Sequence, residues 1–124
     1  MTALEELKTT QNSVLEKATG VFELANRKTV QLDFETEFID LLLDALSQTR
    51  TVYEYSIIET RRAETREEIA EIWKETYEAY RAMYGLWSGA SAILGEPKSK
   101  LLTYWGKLIQ ELEAASREHY EFHA

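Results

Sequence analysis

Residues 73–87 read WKETYEAYRAMYGLW and place large aromatics at Trp73, Tyr77, Tyr80, Tyr84 and Trp87, at spacings of 4, 3, 4 and 3. At 100° per residue these five rings fall within about 40° of one line on an α-helix. The acids of the same segment, Glu64, Glu67, Glu68, Glu71, Glu75 and Glu78, fall opposite them. A helix divided this way has an inside and an outside. The aromatic row is therefore expected to be core, packed against small residues of the first helix such as Ala18 and Ala25. Tyrosine hydroxyls need partners, which puts some of these rings at the edge of the core. Use of the row as a stacking platform for bases is disfavoured by the acidic back of the helix.

The same 3-4 spacing extends outward in both directions. Before it, Leu4, Leu7, Gln11, Val14, Ala18, Val21 and Ala25 form one stripe, broadened by Leu15 and Phe22. Thr2-Ala3-Leu4-Glu5 opens that stripe with capping-box spacing. A second stripe runs Phe34, Phe38, Leu41, Ala45, Gln48, Val52 and Tyr55, flanked by Leu42, Thr49 and Ile58, with Asp33 or Thr29 as its cap. From Glu59 to Glu68 the only apolar residue is Ala63, and Thr65-Arg66-Glu67-Glu68 repeats the capping-box spacing. That places a break near 62–65. The aromatic helix adds Ile69, Ser91 and Leu94, and Gly95 followed by Pro97 is the order of residues that ends one helix and begins another. The last stripe is Leu101, Trp105, Leu108, Leu112, Ala115, His119 and Phe122. Helices are thus expected near 3–26, 30–62, 66–94 and 98–122.

Four amphipathic helices joined by short turns pack most simply as an up-down bundle. The expected fold of the 124-residue chain, read as a single helical domain over 1–124, is all-α. It is either an elongated antiparallel four-helix bundle or a long helical hairpin completed by dimerisation. The hairpin applies if helices 1 and 2, or 2 and 3, run on continuously.

Composition removes several chemistries. With 44% hydrophobic residues, one Pro and five Gly, the chain is neither disordered nor rich in turns. The absence of cysteine excludes disulfides, thiolate catalysis and cysteine zinc sites. Net charge is −8, and residues 1–62 and 63–124 each carry eleven acids and seven bases. With no basic patch, nucleic acid and anionic membrane are poor partners. The start MTALEELKTTQ does not read as a signal peptide, and no stretch approaches the roughly 20 apolar residues of a membrane span, so a cytoplasmic location is expected.

The most unusual segment follows the aromatic row. Residues 82–95, AMYGLWSGASAILG, carry no charge over fourteen positions. Here the acidic back gives way to Ala82, Leu86, Gly89 and Ile93, while Gly85 and Gly89 form a small-x-x-x-small pair that would admit another backbone. A half-helix apolar on two faces requires two neighbours. Mid-helix glycine costs about 1 kcal/mol relative to alanine, which close packing would offset. An interaction face of Ala82, Gly85, Leu86, Trp87, Gly89, Ile93 and Trp105 is expected, with the two tryptophans as anchors and a homodimer as the first arrangement to test. Trp87-Ser88-Gly89 also resembles the Trp-x-Gly turn of small secreted helical-hairpin proteins, a match of three residues that lies inside the third helix.

Candidate metal and catalytic residues are sparse. His119 and His123 stand four apart on one helical face, a spacing that can hold a divalent metal. They also occupy the last six residues, where helices fray, and His119 lies on the apolar stripe, so a structural role is expected. No Glu-x-x-His of the di-iron bundles occurs. Glu68-x-x-Glu71 and Glu64-x-x-Glu67 resemble the first half of the magnesium site of all-helical nucleotide pyrophosphohydrolases, and Glu37-x-x-Asp40 the second. Their order is reversed and the glutamates lie opposite the aromatic core. Glu37, Asp40 and Asp44 read as a solvated acidic strip. There is no Gly-x-Ser-x-Gly and no phosphate loop. No cofactor is expected.

The residues therefore point to a non-catalytic interaction or assembly protein that associates with itself or with another helical protein. The first alternative is an amphipathic coat of a hydrophobic surface, similar in size, acidity and helical character to the phasins that cover polymer granules. The second is a small metal-dependent nucleotide pyrophosphohydrolase.

Overall fold

The computed structural model describes residues 3–27, 31–94 and 100–124. The described residues form four helices and no strand: α1 (Ala3–Arg27), α2 (Gln31–Arg62), α3 (Arg66–Leu94) and α4 (Lys100–His123). The fold is all-α. At 1.5 Å per residue the 32 residues of α2 extend about 48 Å.

α2 and α3 are separate helices, and Thr65 makes the break. Its Oγ1 accepts from the Glu68 N–H at 3.1 Å, while the Glu68 carboxylate accepts from the Glu64 N–H at 3.0 Å. These bonds satisfy two backbone donors that have no partner within a helix. The proposed Thr2 and Thr29 caps, and the Gly95 and Pro97 punctuation, lie outside the described residues. Asp33 falls inside α2, which begins at Gln31.

Paired residues give the topology. Gly20 meets Leu41 and Lys17 meets Asp44, so α1 and α2 run antiparallel. Tyr84 meets Gln110 and Trp73 meets His119, so α3 and α4 do likewise. The two hairpins lie face to face with α1 on α3 and α2 on α4. The α3–α4 contact is the most extensive, and α1 and α4 do not pack on each other among the described residues. α3 touches all three other helices.

That position sets the burial. In α1 the seam is Leu7, Val14, Ala18, Val21 and Ala25, each at most 1% exposed. In α2 the expected Leu41, Gln48 and Tyr55 are only half-buried, and the seam is Phe38, Leu42, Ala45, Thr49, Val52 and Ser56. Leu42, Thr49 and Ser56 take the place of Leu41, Gln48 and Tyr55 one residue on, and the two hydroxyls are satisfied first by their own helix. Thr49 Oγ1 donates to Ala45 O at 2.6 Å and Ser56 Oγ to Val52 O at 2.8 Å. α4 shows a similar displacement. Leu102, Trp105, Gly106, Ile109 and Ser116 are buried, Leu101, Leu108 and Leu112 are half-buried, and Phe122 is 72% exposed.

The aromatic row of α3 corrects a second expectation. It faces α4 and α2 rather than the small residues of α1. Trp73 stacks on His119 with centroids 4.1 Å apart, Tyr80 reaches Thr49, and Trp87 lies on Gly106. Only Trp73 and Tyr80 of the five are buried, while Tyr77, Tyr84 and Trp87 sit at the edge. A second buried line, Ile72, Thr76, Ala79, Met83 and Ala90, completes the inward side of α3.

Candidate interaction face

The seven residues proposed as an interaction face separate into three environments. Trp105 is fully buried and its Nε1 donates to Thr49 Oγ1 at 2.9 Å. Trp87 is half-buried, and its Nε1 donates to Leu102 O at 2.7 Å. The indole lies against Gly106 of α4. A Cβ there would fall well inside van der Waals contact of the ring, with Nε1 at 2.8 Å. Both tryptophans are therefore engaged within the chain.

Leu86, Gly89 and Ile93 are half-buried, and Leu86 and Ile93 pack on the core. Gly89 accommodates a side chain rather than a backbone, because a Cβ at this position would meet Phe22 Cε2 of α1 at 2.6 Å. Ala82 and Gly85 face outward. Nothing lies within 4 Å of a Cβ built on Gly85. They share the outer side of α3 with exposed Ser88 and Ala92. Glu67, Glu71, Lys74, Glu78 and Arg81 occupy that side before them. The outer surface of α3 thus changes at one point from charged residues to small uncharged ones. Tyr84 borders this strip and accepts a hydrogen bond from Gln110 Nε2 at 3.1 Å.

A buried polar hub, which periodicity did not reveal, ties three helices together at Thr49. Besides the bonds to Ala45 and Trp105, the Thr49 carbonyl accepts from the Tyr80 hydroxyl at 2.6 Å. Burial holds the Tyr80 phenol well above its ordinary range. One layer away, Ser56 and Thr76 share a hydrogen bond of 2.7 Å. The only sequence sign of this hub is a Thr within reach of Trp and Tyr positions on other stripes, which a one-helix pattern cannot detect.

The histidines have distinct places. His119 is sandwiched against Trp73, and its Nε2 lies 3.2 Å from the Tyr53 hydroxyl. Burial, then the neighbouring His123, lower its pKa, while Glu118 opposes them. A neutral imidazole can accept the Tyr53 proton at Nε2. α4 continues to His123, and its end is held by Arg66, whose guanidinium donates to the Phe122 and His123 carbonyls. Among the described residues no group of three or more His, Asp or Glu side chains is arranged to hold a metal ion. No helix among them is long and apolar enough to cross a membrane.

Comparison with known proteins finds no family model, no curated protein and no solved structure that matches this chain.

Proposed function

We propose that the chain is a non-catalytic assembly protein that associates through the outer face of α3, with a second copy of itself as the first partner. The observation that supports this reading is the change along α3 from charged side chains to Ala82, Gly85, Ser88 and Ala92, all exposed. Small side chains let two helix backbones approach closely. Two molecules that each carry a net charge of −8 associate with least repulsion where neither presents charge. Trp87 supports this face from inside by fixing α3 on α4, Trp105 holds α4 on α2, and Leu86, Gly89 and Ile93 hold the face near the core.

Light scattering after size exclusion, at two protein concentrations, tests the proposal. The expected result is a mass that rises towards a dimer with concentration, and that Gly85→Glu or Ala82→Glu returns to a monomer. Both positions are solvent-facing, and glutamate suits a helix better than glycine does. A lower mass would therefore report on the contact and not on the fold. A wild-type monomer at both concentrations, or variants of unchanged mass, would refute it.

A further inference from the structure

The two halves of α4 are held in different ways. The first half buries Leu102, Trp105, Gly106 and Ile109. Beyond Leu112 the only buried residue is Ser116, and Phe122 is 72% exposed. What this stretch lays against the core is the His119 ring. It stacks on Trp73 with centroids 4.1 Å apart and planes 14° from parallel, and its Nε2 lies 3.2 Å from the Tyr53 hydroxyl. Tyr53 and Trp73 meet in turn at 5.3 Å. Trp73 is 1% exposed, so His119 is part of what keeps it from water. The other tie is Arg66, which donates to the Phe122 and His123 carbonyls and stays charged at every pH at which the chain folds.

This fastening depends on a neutral imidazole. Nε2 accepts the Tyr53 proton only while it carries none of its own, and on protonation the Tyr53 hydroxyl must turn and give up its donor role. The groups around the ring come from three helices, since α1 does not pack on α4 among the described residues. α2 brings the Tyr53 hydroxyl. α3 brings the indole, and at the end of α4 it adds Arg66, Glu67, Glu71 and Lys74, which border a cleft with Tyr120 and His123. α4 itself brings Glu118 and His123. An indole face attracts a cation, and so does Glu118. Burial and His123 act the other way and prevail, so the seated ring takes a proton less readily than one in water. Glu118 is exposed, and its attraction draws a charged ring outward rather than onto Trp73. We infer that the last turns of α4, residues 113–123, are a proton-released strap. It sits on Trp73 and Tyr53 while His119 is neutral and lifts from them when the ring is charged, while residues 100–109 stay seated through Leu102, Trp105 and Ile109. A proton binds the lifted ring better than the seated one, so lifting sets in as the pH falls below about 6.5, the value of a solvated imidazole.

Hydrogen exchange of the full chain, followed by mass spectrometry at pH of about 7.5 and about 5.5 and corrected for the intrinsic rate of exchange, tests the strap. Protection of the amides of 113–123 should fall several-fold at the lower pH, while that of 100–109 and of α1 holds. His119→Phe keeps a ring on Trp73 and cannot take a proton, so its strap should be equally protected at both pH values. His119→Gln removes the ring, and its strap should be poorly protected at both. His123→Gln should still respond to pH. Wild-type protection that is the same at both pH values would overturn the inference, and so would a response of His119→Phe as large as that of wild type. Protection lost along the whole chain at once would overturn it too, by replacing a local opening with global unfolding. His119→Gln as well protected as wild type at the higher pH would show that the stack on Trp73 does not fasten the strap. The strap lies at the Arg66 end of α3, away from Ala82 and Gly85, so failure here leaves the association through the outer face of α3 to its own test.

Discussion

Replacing glycine by alanine at two helical sites should have opposite effects on stability. Alanine is favoured over glycine inside a helix by about 1 kcal/mol. At Gly85 nothing meets the added methyl, so Gly85→Ala should stabilise the monomer by about that amount, measured at concentrations too low for association. At Gly106 the methyl would occupy space that the Trp87 indole fills. The ring belongs to a helix that packs on all three others and cannot move away without cost. Its displacement breaks the bond from Nε1 to Leu102 O, worth about 1 kcal/mol, and forces repacking that costs about 1–3 kcal/mol. Against a gain of about 1 kcal/mol, Gly106→Ala should be destabilising by about 1–3 kcal/mol. For a 124-residue chain that is a fall in Tm of roughly 4–12 °C. Urea unfolding followed by far-ultraviolet circular dichroism gives both numbers, and tryptophan fluorescence should move to longer wavelength in Gly106→Ala alone. Gly106→Ala as stable as wild type would show that Trp87 is not seated on α4. Gly85→Ala that destabilises a dilute monomer would show that the outer face of α3 is covered by its own chain.

Thr49→Val keeps the shape of the core but leaves the Trp105 N–H without its acceptor, so it should cost about 1–3 kcal/mol in urea unfolding. Combining it with Trp105→Phe should recover part of that loss, and strictly additive costs would contradict the bond. Burial lowers the His119 pKa, so the unfolded chain takes up protons that the folded chain resists. This contribution to stability is complete above pH of about 6.5, the unfolded value, and is lost as the pH falls below it through the lowered folded pKa; His119→Gln should flatten the slope of Tm with pH there. Tyr53 and Tyr80 have raised pKa values, chiefly through burial, and the sign reverses. Above pH of about 10 the unfolded chain loses phenolic protons that the folded chain retains. Stability should fall with alkaline pH, and absorbance of the phenolate should appear together with unfolding for Tyr80.

Helix periodicity makes the class of fold legible, but it locates a core only where one helix meets few others. α1 packs on α2 and α3, and its seam of Leu7, Val14, Ala18, Val21 and Ala25 follows the stripe that spacing indicates, except that Leu4 is exposed and Gln11 half-buried. α3 packs on three helices, so its inward side is wide enough for two lines. Size favours the aromatic line in the sequence, yet Thr76, Ala79, Met83 and Ala90 are buried more consistently than Tyr77 or Tyr84. On α2, Thr49 reads only as a flank of the stripe and Ser56 lies off it, yet both are buried, with hydroxyls bonded to the carbonyls of the preceding turn. The uncharged segment 82–95 was legible as unusual, and its Gly85–Gly89 pair was not legible as divided. One glycine looks into solvent and the other onto Phe22, a difference set by a helix more than sixty residues away.

The pairing of α1 with α3 and of α2 with α4 also bears on how the chain reaches its native state. Each hairpin is built from contacts close in sequence and can form rapidly on its own. Their union depends on contacts across the joint at 63–65, among them Thr49 with Tyr80 and Trp105 and Ser56 with Thr76. The slow event is then docking of two preformed hairpins, with the hydroxyl layer of α2 as the surface that recognises the other pair. Thr49 and Ser56 should accordingly show high φ-values in stopped-flow refolding and slow the folding limb when altered. Ala18 and Val21, on α1, should act mainly on unfolding.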